Sequence, residues 1–188
     1  MNPEDFDALF DNFRKTAFRL ETLPSYDVGD VGEEATRIRA IKEHLPVPDR
    51  SVRSDPWLAR IARTTLDTKA PKQWRRVRVV DEPLTEYQRI ELVALVEAQA
   101  VGDENFIVAR AAVGNAPDMW LFDAGRRKAH AVVMDYDPAG HWQGCELVTD
   151  RPALDRLEQA WERALAAAEP LNVFLARSGL EAARVTSV

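Results

Sequence analysis

Cysteine is nearly missing from this chain: Cys145 stands alone, so no disulfide can close within it and no thiol pair with zinc-ligand spacing exists. The three histidines, His44, His130 and His141, fall in no HExxH or paired-ligand pattern. A Cys–His nucleophile would need Cys145 to meet His130 or His141 across a hairpin, and a buried, packing thiol is the preferred reading. No apolar run approaches the roughly 18–20 residues that span a bilayer. The acidic opening MNPEDFDALF is unlike the basic start of a signal peptide, so a cytoplasmic location without membrane contact is expected. There is no P-loop, no GxGxxG after a strand, no GxSxG and no kinase signature. Familiar enzyme classes are therefore disfavoured, and neither a cofactor nor a metal is expected. Positive charge is also short: 25 Lys and Arg against 31 Asp and Glu leave a net charge of −6. Such a field repels nucleic acid, so direct nucleic-acid binding is disfavoured.

What is present is enough to build a core. The chain has 188 residues, 46 % of them hydrophobic, which suits one domain of a soluble globular protein. Residues 1–70 read as a helical portion. Phe6, Leu9, Phe10, Phe13 and Ala17 recur at helical spacing behind Asn2 and Pro3. The following FRLET alternates and is compatible with either a strand or another helical turn. Asp30 with Glu33 resembles a capping box opening a second helix, and Asp55-Pro56 opens a third.

Residues 75–170 read as the core of a single α+β domain covering 1–170. A strand over 75–81 and a helix over about 84–99, with Pro83 in its first turn, precede four candidate strands: NFIVAR, MWLFD, KAHAVVMDYD and HWQGCELV. Asp137-Pro138-Ala139-Gly140 has the residue preferences of a type I turn and predicts a hairpin. Asp150 and Pro152 start a last long helix, and residues 171–188 form a C-terminal helix or tail. The predicted architecture is an antiparallel meander with helices packed mainly on one face.

Chemistry concentrates in WRRVRVVDEPLTEYQRIEL, residues 74–92. Alternation puts Arg76 and Arg78 on one strand face and Val77 and Val79 on the other. Arginine forks bind carboxylate or phosphate bidentately, so these two, with Arg19 if FRLET joins the sheet, could form an anion platform. Alternatively Glu21, Glu86 and Glu91 neutralise them. Tyr87 and Glu91 lie four apart on one helix face, suited to acid/base chemistry or to core packing. Trp74 and Trp142, at element ends among polar residues, are candidates for a partner-facing rim. Asp123, Asp135 and Asp137 give only a weak hard-cation pattern.

LFDNFRKTAFRLETLPSYDV, DPWL, RVRVVDEPLTEYQRIEL, WLFD, MDYDPAGHWQGCELVTD and AWERALAAAEP together run from about residue 9 to 170. In these pieces the chain resembles an uncharacterised actinobacterial family of domains of unknown function, encoded beside helix-turn-helix transcription regulators. Two departures stand out: DTKAPKQW replaces the family's Gly-rich turn before RVRVV, and Gly102-Asp103-Glu104-Asn105 replaces its GE-D-I-like motif. The resemblance implies a regulatory protein with a protein partner, either such a regulator or a second copy. The expected function is thus a non-enzymatic interaction protein. The alternative is a small enzyme or sensor for an anionic metabolite, using Arg19, Arg76, Arg78, Tyr87 and Glu91.

Overall fold

The computed structural model describes residues 1–180. The opening helix α1 (Pro3–Asn12) is capped by Asn2, whose side chain accepts from the Asp5 amide at 2.7 Å. FRLET resolves as strand β1 (Thr16–Glu21). Helix α2 (Glu33–Lys42) starts behind Gly32 with no side-chain cap, so the expected Asp30–Glu33 capping box does not form. Helix α3 (Pro56–Thr65) is capped by Asp55, which accepts from the Trp57 and Leu58 amides. Strand β2 (Gln73–Val80) leads to α4 (Glu86–Ala100), held at its start by reciprocal Thr85–Gln88 hydrogen bonds. Pro83 thus lies outside the helix rather than in its first turn, because the Thr85 hydroxyl offers the stronger start signal. Strand β3 (Asp103–Ala109), the short α5 (Arg110–Val113), β4 (Met119–Phe122), β5 (His130–Tyr136), β6 (Trp142–Val148), α6 (Arg151–Ala167), β7 (Glu169–Pro170) and α7 (Leu171–Ser178) complete the described residues. Of the C-terminal helix or tail expected at 171–188, α7 is the helical part, and residues 181–188 lie outside the described residues.

The strands form one mixed seven-stranded sheet in the order β6-β5-β4-β1-β2-β3-β7. This corrects the expected meander. Only β4, β5 and β6 are a meander; β1, β2 and β3 run parallel. Parallel neighbours need a long crossover, and α2 with α3 supplies one between β1 and β2, while α4 supplies the next. Two of the helices that read as a separate N-terminal portion, α2 and α3, are therefore a crossover connection of the sheet.

Helices also cover both faces, not mainly one. On one face Phe18, Leu20, Val77, Val79, Met119 and Leu121 pack against Leu154, Trp161 and Ala164 of α6. Val77 and Val79 are fully buried, as the alternation demands. On the other face Ala17, Trp74, Trp120 and Phe122 pack against Phe10 and Phe13 from α1 and its C-terminal cap and Ile61 of α3. Val80 and Ile107 meet Leu92 and Leu95 of α4 and Phe174 of α7. Strand parity fixes what shares that second face: Arg19 and Glu21 of β1, Arg76 and Arg78 of β2, Trp120 of β4 and Tyr136 of β5. The charged face of β2 is not solvated; it lies inside the protein.

Candidate ligand cavity

Between that second face and the helices above it lies a cavity of about 920 Å³. Its floor is Arg19, Glu21, Arg76 and Trp120; α4 contributes Tyr87, Glu91 and Ala94 along one wall; Tyr136 and Trp142 close the hairpin end. Residues of α2 and the segment through Asp49, Arg50 and Asp55 form the opposite side. The alternation of β1 and β2 makes this floor: Phe18, Leu20, Val77 and Val79 pack on the α6 side, so Arg19, Glu21, Arg76 and Arg78 between them face the cavity side.

The floor is a closed ion network. Arg19 meets Asp118 at 2.5 Å and Glu21 at 3.3 Å. Arg76 meets the same Glu21 oxygen at 2.6 Å and Asp103 at 3.5 Å. Arg78 meets Glu91 at 2.5 Å and donates to the carbonyls of Leu23 and Val79. Arg19, Arg78, Glu21, Asp103 and Asp118 are all at least nine-tenths buried. Ions so placed must be paired, because an uncompensated buried charge costs several kcal/mol. Burial alone would raise the Glu21 carboxyl, but Arg76, Arg19 and Arg78 outweigh it and hold Glu21 at about 2. At Glu91 burial wins over Arg78 and lifts the carboxyl to about 7. Burial also raises Asp103 and Glu34. For Arg76 and Arg78 burial opposes the charge, yet their carboxylate partners keep both guanidiniums above the usual range. Glu21 Oε2, Arg76 Nε and Arg78 Nη2 are buried in this network without a hydrogen-bond partner.

Aromatic rings supply the rest of the surface. Arg19 and Arg76 lie 5.5 and 6.0 Å from the Trp120 ring centre, and Arg78 lies 5.4 Å from that of Tyr26. Tyr26 packs on Tyr136 and Tyr87, with ring centres 5.1 and 5.9 Å apart, and its hydroxyl bonds Asp118. The Tyr26 segment is pinned to the β5–β6 turn by Asp27, whose amide donates to the Gly140 carbonyl at 3.1 Å and whose carboxylate meets His141 at 3.2 Å.

The structure therefore brings Arg19, Arg76, Tyr87, Glu91 and Trp142 to one cavity, with Arg78 directly behind it through Glu91. Trp74 is not among them. It is 1 % exposed, stacked in an aromatic cluster with Phe10, Phe13, Trp57 and Trp120, and its indole N–H donates to Thr64. The partner-facing reading of Trp74 is thus corrected, since its polar sequence neighbours Gln73 and Arg75 alternate onto other surfaces. Trp142, 41 % exposed, stays at the cavity mouth. Of the expected neutralisers, Glu21 and Glu91 are in place, whereas Glu86 pairs with Lys42 at the surface.

Sequence reasoning missed Asp103, Asp118, Tyr26, Trp57, Trp120 and Tyr136. Asp103 opens β3 and Asp118 precedes β4, and only the β1–β4 and β2–β3 pairings bring them to the arginines. The weak cation pattern dissolves: the Asp123 carboxylate accepts from the amides of Arg14, Lys15 and Thr16, and Asp137 serves its turn and His141. Among the described residues no cluster of His, Cys, Asp and Glu is arranged to hold a metal, and no helix is long and apolar enough to cross a membrane.

No curated protein matches the chain significantly. A family model does match, over residues 4–176, and that span contains every wall of the cavity. The chain belongs to the DUF6879 family, a domain of unknown function.

Proposed function

We propose that the protein is a non-enzymatic ligand-binding regulator whose cavity takes a small molecule. One observation carries this reading: a roomy, mixed aromatic and polar cavity sits over a buried network of ion pairs. Binding sites for small molecules are concave, mostly apolar, and carry a few well-placed polar groups. Nothing in the floor resembles an activated nucleophile, and Cys145 has its thiol raised by burial, away from the thiolate a catalyst needs. A non-enzymatic role follows most directly.

A thermal-shift screen of small molecules on the wild type and on Ala94→Trp tests the reading. Ala94 lines the cavity from α4, and a tryptophan there would obstruct it. Compounds that raise the melting temperature of the wild type but not of the obstructed variant are expected. A screen in which every stabiliser acts equally on both proteins, or none acts at all, would overturn the reading.

A protein partner is the second reading, favoured by the sheet edge. Strand β6 is terminal in the sheet and leaves Trp142 and Leu147 41 % and 45 % exposed, and open strand edges with apolar residues attract partners. A helix-turn-helix regulator or a second copy of the chain would join there, with Trp142 touching both the edge and the cavity. Co-purification with such a regulator, lost on Trp142→Ser and Leu147→Ser substitution, would support it; capture unaffected by both changes would argue against this edge.

A further inference from the structure

We propose that the cavity selects an organic cation: an amine, amidine, guanidinium or charged heterocycle joined to a planar or apolar body. The inference rests on the reading of the cavity as a binding site and names the class of its ligand. The arginines suggest an anion at first sight, but the guanidinium nitrogens without a hydrogen bond, Arg76 Nε and Arg78 Nη2, are sealed in the floor. The cavity is lined by four arginines, and each is already paired: Arg19 with Asp118, Arg37 with Glu97, Arg50 with Asp55 and Arg76 with Glu21. An incoming anion would have to displace a buried carboxylate from its partner, which leaves that carboxylate uncompensated.

Acceptors are in surplus. Seven carboxylates line the same surface, and two of the arginines' partners, Asp118 and Glu97, stand outside that lining. Glu21 Oε2 is sealed in the floor in the same way, so the acceptors a ligand can reach lie on the helical side of the cavity. Glu34 of α2 faces the cavity, and among the described residues it forms no ion pair. Glu34 is exposed to solvent, and a ligand with N–H donors would give its carboxylate a charge-assisted partner.

The walls fit the same chemistry. Tyr26, Tyr87, Tyr136, Trp57, Trp120 and Trp142 all line the cavity, and aromatic ring faces attract cations electrostatically. Trp120 already carries two guanidiniums within about 6 Å, so the fold uses these rings as cation platforms. The positive end of the ligand then sits between the rings and the Glu34 side of the cavity, with its donors turned to the Glu34 carboxylate.

Benzamidine, benzamide and benzoate share a size and shape and differ in charge, so calorimetric titration of the three probes at millimolar concentration isolates the charge preference. Benzamidine is expected to bind tightest and benzoate weakest. Glu34→Gln should weaken benzamidine roughly tenfold, equivalent to about 1.4 kcal/mol, and leave benzamide unchanged, with an unaltered melting temperature. Preference for benzoate or benzamide would overturn the cation class while leaving a binding cavity in place. Equal benzamidine affinity in Glu34→Gln would overturn the placement of the positive end. Absence of heat from all three would overturn the binding-site reading, and the cation class with it.

Discussion

At the scale of single residues, Glu21 holds the floor together, since one of its oxygens accepts from both Arg19 and Arg76. Its folded carboxyl lies at about 2 against an ordinary 4.5, so it contributes stability that is present above pH 4.5 and lost as the pH falls towards 2. Glu91 has the opposite sign. Its folded carboxyl lies near 7, so its contribution is full below pH 4.5 and is lost as the pH rises through 7. Urea denaturation across pH should show Glu21→Gln flattening the acid limb and Glu91→Gln flattening the decline between pH 4.5 and 7. Glu21→Gln should also cost about 3–5 kcal/mol at neutral pH, because Arg19 and Arg76 lose a buried counter-charge. A Glu21→Gln protein as stable as the wild type at pH 7 would show that Glu21 does not hold the floor together.

Arginine position within one strand decides consequence. Exchanging Arg76 and Arg78 for glutamate places new carboxylates against Glu21, Asp103 and Glu91, a penalty comparable with the roughly 5–15 kcal/mol that holds a domain folded. That double variant should unfold. Arg75, one residue away, pairs with the exposed Glu104, and Arg75→Glu should cost less than about 1 kcal/mol. Circular dichroism of the two variants separates the faces; a folded, normally melting double variant would contradict the buried assignment. The sequence showed the charged face plainly, because alternation needs only neighbours along the chain. It could not show that the face is buried, because that depends on which helices cross over it.

At the scale of elements, the legible parts were those with local signals. Asp55 before Pro56 and Asp150 before Pro152 both cap helices, and the Asp137–Gly140 turn closes β5 onto β6, with the Gly140 amide donating to the Asp137 carbonyl at 3.0 Å. Strand direction was not legible. NFIVAR reads the same whether it runs parallel or antiparallel to RVRVV, and only the length of the α4 connection argues for the parallel choice. Gly140 shows how one element serves the site. It has φ +90°, and a Cβ there would meet the Ser25 carbonyl at 2.7 Å, backbone of the segment that carries Tyr26. Gly140→Ala should therefore cost about 1–3 kcal/mol and shift Tyr26 away from Asp118. Amide exchange at residues 23–28 should accelerate in this variant, and unchanged exchange would mean that the turn does not support the cavity wall.

At the scale of the whole molecule, two packing layers do different work. α6 and its sheet face form an apolar core, while the opposite face combines aromatic packing near α1 and α3 with a paired ionic floor beneath α2 and α4. Hydrophobic pattern announces the first layer. The second needs residues from β1, β2, β3, β4, α4 and the β5–β6 hairpin, which is why its composition was only partly readable: Arg19, Arg76, Arg78, Tyr87, Glu91 and Trp142 from local pattern, Asp103, Asp118 and Tyr26 from topology alone. A charged floor under an aromatic vault is a surface for recognition, and its occupant is the central question. A crystal structure of the protein soaked in benzamidine answers it most directly. The ring is expected among Trp57, Trp120 and Trp142, with the amidinium turned to the Glu34 side and the arginine pairs of the floor undisturbed. Benzamidine bound elsewhere on the surface with the cavity holding only solvent, or a floor whose arginines have left their carboxylates, would contradict it.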